Sequence, residues 1–307
     1  MTPPDDAAGN RREFLKRLAA GAAACLAGRV ALAGAGEAPA APALPAARAT
    51  LGKTGITTSF VAQGTGSGGW DQSSEQVRLG NREFERLIRH GLDAGLDFLD
   101  TADLYGSHGP TRKALAAVPR DRYTLLTKLW PEPSSWCRPS GGARPEVDRF
   151  RRELGTERLD IVLIHCTTSS DWTGRYARVR DELSALKSEG VIRAVGVSCH
   201  DLGALQAAAG DPWTDVILAR INHKGGAGWS MDAGSDTVAE VLRRARGNGK
   251  GVVGMKLFGA GRMTKAADRE ASLRWTFERD IVDAVTIGTR TTGQIDENLG
   301  MVARTRG

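Results

Sequence analysis

The sequence predicts an α/β protein, a closed (β/α)8 TIM barrel, and three observations carry that expectation. From Thr50 onward, short apolar or β-branched runs alternate eight times with helical patterns. Such alternation implies right-handed crossovers and a parallel sheet. The runs are apolar along their whole length, as strands covered on both faces must be. Finally, no dinucleotide fingerprint follows the first strand. "GTGSGG" at 64–69 is glycine-rich but is not followed at once by a helix. That disfavours a doubly wound open sheet. A barrel of this kind needs about 250 residues, and residues 50–307 supply them in one domain.

The eight strand runs are "TSFVAQG", "LDFLDTA", "YTLLTKL", "LDIVLIH", "IRAVGVS", "DVILARI", "GVVGMKL" and "AVTIGT". Between and after them lie "REFERLIRHGLDAG", "TRKALAAV", "EVDRFRRELG", "VRDELSALKSEG", "LGALQAAAG", "DTVAEVLRRARGNG", "DREASLRWTFER" and "QIDENLGMVART". Many of these place apolar residues at i, i+3 and i+4, the spacing of a half-buried helix. Phe84, Leu87, Ile88 and Leu92 make one such stripe.

The segments before Thr50 read differently. "NRREFLK" from Asn10 carries adjacent arginines and then hydrophobic residues, "LAAGAAACLAG" is mildly apolar, and "ALA" at 31–33 offers a small-residue exit. This is the pattern of a twin-arginine signal peptide over 1–33. It predicts the twin-arginine translocase as an export partner and a periplasmic or other extracytoplasmic destination. Cys25 lacks the aliphatic residue expected three positions earlier, where Ala22 stands, so lipid anchoring is not expected. Residues 34–49 are Pro/Ala-rich and read as a flexible linker that cannot bury a core.

Composition excludes some classes. With 25% charged and 41% hydrophobic residues the chain is globular in character. The net charge of +6 is spread out, and the densest basic stretch, "DRFRRELGTER", interleaves acids as on a solvated helix face. Nucleic-acid binding is therefore not expected. No segment after the leader has the ~18 consecutive apolar residues of a membrane helix, so stable membrane insertion is not expected either. Four cysteines occur without CxxC or Cys/His ligand spacing, so no structural metal is expected. A disulfide among Cys137, Cys166 and Cys199 stays open.

Chemistry in such barrels gathers where strands end and loops begin. The second run ends in Asp100, with Tyr105 five residues on; the third brings Lys128 and the fourth His165. A tyrosine ordinarily has a pKa of about 10. A nearby ammonium lowers it and makes proton exchange feasible near neutrality. Asp100 would orient Lys128, and His165 would reach the same substrate oxygen. Each residue alone also has a plain structural reading: Asp100 as a turn cap, Lys128 as a solvated lysine, His165 as a core histidine, Tyr105 as packing. Four arriving from three consecutive strand ends favour a proton-relay site.

These residues sit in segments that resemble the aldo-keto reductase family, from "LGKTGITTSFVAQGT" to "GQIDENLGMV". "GLDFLDTADLYG" resembles its Asp–Tyr motif, "LLTKL" its lysine strand, "LGTERLDIVLIH" the stretch ending in its histidine, and "ALKSEGVIRAVGVS" the strand after that. "IGTRTTGQIDEN" resembles its cofactor phosphate clasp. The resemblance implies reversible NADP(H)-dependent reduction of an aldehyde, ketone or sugar carbonyl, with a small carbonyl or alcohol as substrate. In it Tyr105 is the general acid/base, tuned by Lys128 and Asp100, and His165 orients the carbonyl. It also implies that Ser198 meets the nicotinamide carboxamide. Arg290 would take the adenosine 2′-phosphate, with Thr289, Gln294, Glu297 and Asn298 alongside.

The sequence departs from the family at the nicotinamide end. Cys199 follows Ser198 where Asn is usual, and the sixth run lacks the carboxamide glutamine, for which Arg220 or Asn222 would substitute. Met255 stands where an aromatic residue often stacks, and Lys256 beside it is a cofactor-binding candidate, as is Cys199. The long C-terminal loop of many members is not found after the last helical run, and Trp70, Trp130, Trp136 and Trp172 are candidates to wall the pocket. NADP against NAD stays open, as do two other functions: a non-catalytic ligand-binding barrel, and a hydrolase or isomerase needing no nucleotide.

Overall fold

The computed structural model describes residues 47–134 and 142–306. The proposed signal peptide, nearly all of the linker, Trp136 and Cys137 lie outside the described residues.

The chain opens with an antiparallel pair, β1 (Arg48–Thr50) and β2 (Thr57–Ser59). Eight parallel strands follow: β3 (Val61–Gly64), β4 (Phe98–Asp100), β5 (Thr124–Leu129), β6 (Leu159–Thr167), β7 (Ile192–Cys199), β8 (Val216–Arg220), β9 (Gly251–Met255) and β10 (Ala284–Gly288). They close in the order β10-β3-β4-β5-β6-β7-β8-β9. All eight strand runs of the sequence are found in the barrel. "TSFVAQG" breaks at Phe60 and is shared between β2 and β3. β1 begins at Arg48, inside the stretch read as a linker.

The helices are α1 (Glu75–Arg78), α2 (Asn81–Asp93), α3 (His108–Leu115), α4 (Ala143–Leu154), α5 (Trp172–Arg175), α6 (Ala177–Ser188), α7 (Leu202–Gly210), α8 (Ser235–Gly247), α9 (Ala266–Glu278) and α10 (Thr292–Arg306). In α2 the stripe Phe84, Leu87 and Ile88 is buried, as its spacing predicts. α4 buries Val147, Phe150 and Leu154 and ends at Gly155, whose φ of +68° is the left-handed stop that glycine favours. Phe150 is fully buried, and cutting it to alanine would cost about 3–5 kcal/mol. α7 starts at Asp201, whose carboxylate accepts the Ala204 backbone N–H at 2.9 Å. None of the described helices is long and apolar enough to cross a membrane.

Two apolar layers result. One lies between barrel and helices and takes in Leu125, Val162, Val195, Val197 and Ile217. The other fills the barrel with Ala62, Phe98, Leu126, Ile161, Leu163, Ala194, Val216, Leu218 and Val253. Leu51 and Ile56, from the turn between β1 and β2, join this inner layer. Lys53 N–H bonds to Gly249 O at 2.9 Å, just before β9 begins. The hairpin therefore stoppers the N-terminal end of the barrel, and the opposite end stays open.

Candidate active site

Strand side chains alternate with period two, so the inner layer dictates what reaches the open mouth. Two residues beyond Phe98 comes Asp100, beyond Leu126 Lys128, and beyond Leu163 His165. By the same count Ser198 and Arg220 follow the inward residues of β7 and β8. The β6–β7 register shifts between Ile164 and Thr167, and Cys166 there has φ +61°. Such a bulge kinks a strand and re-aims its side chains.

The four predicted residues come together. Lys128 is fully buried; its Nζ donates to Asp100 Oδ1, and to Thr101 O at 2.9 Å. Thr286 Oγ1 donates to the other Asp100 oxygen at 2.8 Å. The Lys128 ammonium sits 4.6 Å from the Tyr105 ring centroid. The His165 ring stands edge-on between Tyr105 and Trp130, with centroids 5.5 and 5.6 Å away. Trp70 continues the stack at 5.8 Å from Trp130. The glycine-rich segment closes over the phenol: a Cβ on Gly66 would meet Tyr105 Cζ at 2.3 Å, and one on Gly69 would meet Cδ1 at 2.5 Å.

Electrostatics correct one expectation. Burial, and after it the Asp100 carboxylate, push the Tyr105 phenol well above its usual range. The expected lowering by the ammonium is outweighed. Lys128 itself is lowered by burial, with Asp100 opposing. Burial, then Lys128, His200 and Lys256, hold His165 well below 6.5, so its imidazole is neutral. Its Nδ1 is buried with no hydrogen-bond partner among the described residues. The arrangement therefore stores a phenolic proton beside a neutral imidazole, over a fixed cation.

A second network braces the Tyr105 turn. Buried Asp103 is held by Arg149 from α4 through Nη1 at 2.9 Å and Nη2 at 2.8 Å. Arg149 also bonds Glu146 and Glu153, and His108 bridges Glu153 and Thr127 Oγ1 at 2.7 and 2.8 Å. Asp103, His108 and Glu153 lie close enough together to suggest metal ligands, but the Arg149 guanidinium binds both of these carboxylates and both imidazole nitrogens are engaged. It reads as an ion-pair network.

A cleft of about 560 Å³ runs from Asp100 and Tyr105 past Lys256 to Arg290, Gln294, Glu297 and Asn298 at the start of α10. Arg290 is loosely held, 3.7 Å from Glu75. Gln294 Oε1 accepts the Arg290 backbone N–H at 2.7 Å, and Glu297 is paired with Arg269. Thr289 lies beside this wall, its carbonyl accepting from Gln76 at 3.0 Å. Ser198 Oγ is buried without a hydrogen-bond partner among the described residues, and Ser198 does not line the cleft.

Three candidates at the nicotinamide end are otherwise engaged. Cys199 is one residue out of phase with Ser198 and belongs to the layer between barrel and helices; burial raises its thiol to about 12. Arg220 faces the mouth but donates to Asp232 and to His200 O. Asn222 gives its N–H groups to Trp229 O and Lys256 O and accepts from Lys224 and Gly225 N–H. None of the three lines the cleft. Among the tryptophans, Trp172 is 1% exposed and packs on Trp213, so it covers the barrel and not the pocket. Cys166 and Cys199 are free thiols. Thr286, Asp232 and the Arg149 network have no sequence signal of their own.

The pattern of the Aldo/keto reductase family matches residues 64–273. The chain belongs to this family. Among curated relatives, an aldo-keto reductase of Mycolicibacterium smegmatis is 31% identical over 121 residues, covering 39% of this chain and 41% of the relative. D-threo-aldose 1-dehydrogenase of a Pseudomonas species is 26% identical over 218 residues, covering 61% of this chain and 63% of the relative. The chain thus spans less than two thirds of the length of either. Among solved structures, an aldo-keto reductase of Pseudomonas aeruginosa superposes with a TM-score of 0.70 at 23% identity, over 85% of this chain and 95% of that one. The holo form of one from Bacillus halodurans gives 0.67 at 18%, over 84% and 93%. These two likenesses agree with the eight-stranded barrel.

Proposed function

We propose that the chain is an NADP(H)-dependent oxidoreductase that reversibly reduces an aldehyde, ketone or sugar carbonyl, with Tyr105 as general acid/base. The observation that carries this reading is the buried Lys128–Asp100 pair beneath the Tyr105 ring, beside His165, in a cleft that continues to Arg290. The Pseudomonas relative named for an aldose favours a sugar carbonyl among the candidates.

The residues fit a dinucleotide at both ends. The orphaned Ser198 hydroxyl suits a carboxamide. The exposed, weakly paired Arg290 guanidinium suits a phosphate, which it can grip with two parallel N–H bonds. Gln294 and Asn298 line the same wall, and the start of α10 adds favourable helix-terminus electrostatics. The bound cofactor supplies the hydride. Tyr105 gives its proton to the carbonyl oxygen as negative charge develops there. Lys128 stabilises the phenolate left behind, and Asp100 with Thr286 keeps the ammonium from moving. Neutral His165 orients the oxygen, while the Trp70–Trp130 stack limits water at that side.

Export in the folded state by the twin-arginine route belongs to the same proposal, on the strength of "NRREFLK". A protein that has to hold its cofactor cannot be threaded unfolded without losing it. NADP would then be loaded before export and kept tightly bound, its redox state reset by a second substrate.

Titrating NADPH against tryptophan fluorescence, with aldehyde turnover followed at the nicotinamide absorbance, tests the enzyme. Saturable quenching and turnover lost in Tyr105→Phe are expected. No binding of either nicotinamide nucleotide removes the reading. Binding without turnover of any carbonyl favours the alternative of a ligand-binding barrel, which draws on the engagement of Arg220 and Asn222 elsewhere.

A further inference from the structure

Most cations around the mouth are matched by carboxylates; Arg262 bonds the Ser230 hydroxyl instead, and Lys256 stands apart from both. Lys128 is paired with Asp100, Arg220 with Asp232, Arg269 with Glu297 and Arg290 with Glu75. The Lys256 ammonium forms no hydrogen bond and no ion pair with any described residue, although it lines the cleft with Asp100 and Tyr105. Its side chain is half-buried, and even partial burial of a cation without a partner carries a cost.

The backbone also strains to put it there. Lys256 has φ +60°, a left-handed conformation that a side-chain-bearing residue adopts only at a cost. Period two alone would send Lys256 outward, since Met255 points into the barrel. The turn re-aims it. Asn222 Nδ2 and Gly259 N–H both grip the Lys256 carbonyl, at 3.2 and 2.8 Å, and hold that turn. This gives Asn222 a role that a carboxamide contact would not explain.

The surroundings ask for a ligand. His165 Nδ1 and His200 Nδ1 are buried and unpartnered. Both imidazoles feel the Lys256 charge and are kept neutral, His200 down to about 3, chiefly by burial. Lys256 is itself lowered, first by burial and then by Lys128 and Arg220, with Asp100 opposing, and an incoming anion would oppose that lowering further.

We infer that Lys256 is an anion-receiving subsite beside the proton donor, and that its ligand is a carboxylate carried by the carbonyl substrate itself. The substrate class is then an oxo-acid or an acidic sugar, not a neutral aldehyde. This rests on the carbonyl-reductase reading above. The cofactor's diphosphate is the other source of an anion in this cleft, and the test separates the two.

The experiment compares 4-carboxybenzaldehyde with its neutral methyl ester in the wild type, Lys256→Met and Lys256→Arg, and measures NADPH affinity of each by calorimetry. A wild-type kcat/KM ratio favouring the acid by about tenfold or more is expected. That ratio collapses toward one in Lys256→Met and returns in Lys256→Arg, while the three NADPH affinities agree. A wild-type ratio near one overturns the proposal. So does a ratio that survives in Lys256→Met while NADPH affinity falls, which assigns Lys256 to the diphosphate. If neither aldehyde is reduced, the reductase reading fails, and benzoate titrated calorimetrically into each protein decides the subsite separately. Binding lost in Lys256→Met and kept in Lys256→Arg supports it; no binding to the wild type overturns it.

Discussion

Replacing Lys128 by methionine removes the charge at nearly constant volume and isolates what the ion pair does. Lys128 is 0% exposed and Asp100 5%. After Lys128→Met, the Asp100 carboxylate keeps only the Thr286 hydroxyl bond, and Thr101 O loses its side-chain donor. Breaking a buried pair from one side costs about 3–5 kcal/mol, because the surviving charge is left uncompensated. That is a large share of a total stability of about 5–15 kcal/mol. With a urea m-value of about 3 kcal/mol per M, the midpoint should fall by roughly 1–1.7 M. The double variant Asp100→Asn/Lys128→Met carries no stranded charge and should recover at least about half of the loss. Urea denaturation of the wild type, Lys128→Met, Asp100→Asn and the double variant at pH 7.5, monitored by circular dichroism, closes the cycle. A midpoint shift under about 0.3 M for Lys128→Met, or a double variant no better than the single, would refute the reasoning that this pair is desolvated and coupled.

Four further outcomes are expected. Tyr105→Phe should lower kcat by about 10²–10⁴-fold, the range for a lost general acid, with NADPH affinity by fluorescence unchanged. Arg290→Met should weaken NADPH binding by about tenfold or more and NADH binding much less, and equal losses would move the 2′-phosphate elsewhere. Arg149→Ala strands buried Asp103 and should cost about 2–4 kcal/mol in urea, along with a fall in kcat as the Tyr105 turn loosens. For pH, His165 and His200 have folded pKa values below that of the unfolded chain. The unfolded state therefore takes up protons below about 6.5 that the folded state refuses. Stability should be complete well above that value and fall as pH drops toward 3, by about 2 kcal/mol at pH 5 from His200 alone, with His165 adding to it. His200→Gln should flatten the curve, and an unchanged curve would refute the assignment.

The barrel was legible because strands covered on both faces leave unbroken apolar runs, and all eight runs became barrel strands. Asp100, Lys128 and His165 were legible for a related reason: each extends the inward-facing phase of its strand by one step. Cys199 shows where that reading fails, for a residue adjacent to Ser198 in sequence faces the opposite layer. Asn222 looked like a ligand contact because its loop partners, Trp229 O and Lys256 O, are fixed only by tertiary structure. The Tyr105 acidity was misjudged because burial, which raises it most, and the nearby Asp100 carboxylate are set by tertiary structure. Thr286 and Arg149 act across the fold, from strands and helices far apart in sequence, so no local pattern announces them.

Gly66 and Gly69 clasp the phenol ring from opposite edges with bare backbone. The proton donor is thus aimed by main chain on its flanks and by a charge behind, with no room for the ring to swing. Anyone reshaping this pocket should leave those two positions alone. Even a methyl group at either would dislodge the acid before it altered which molecules enter.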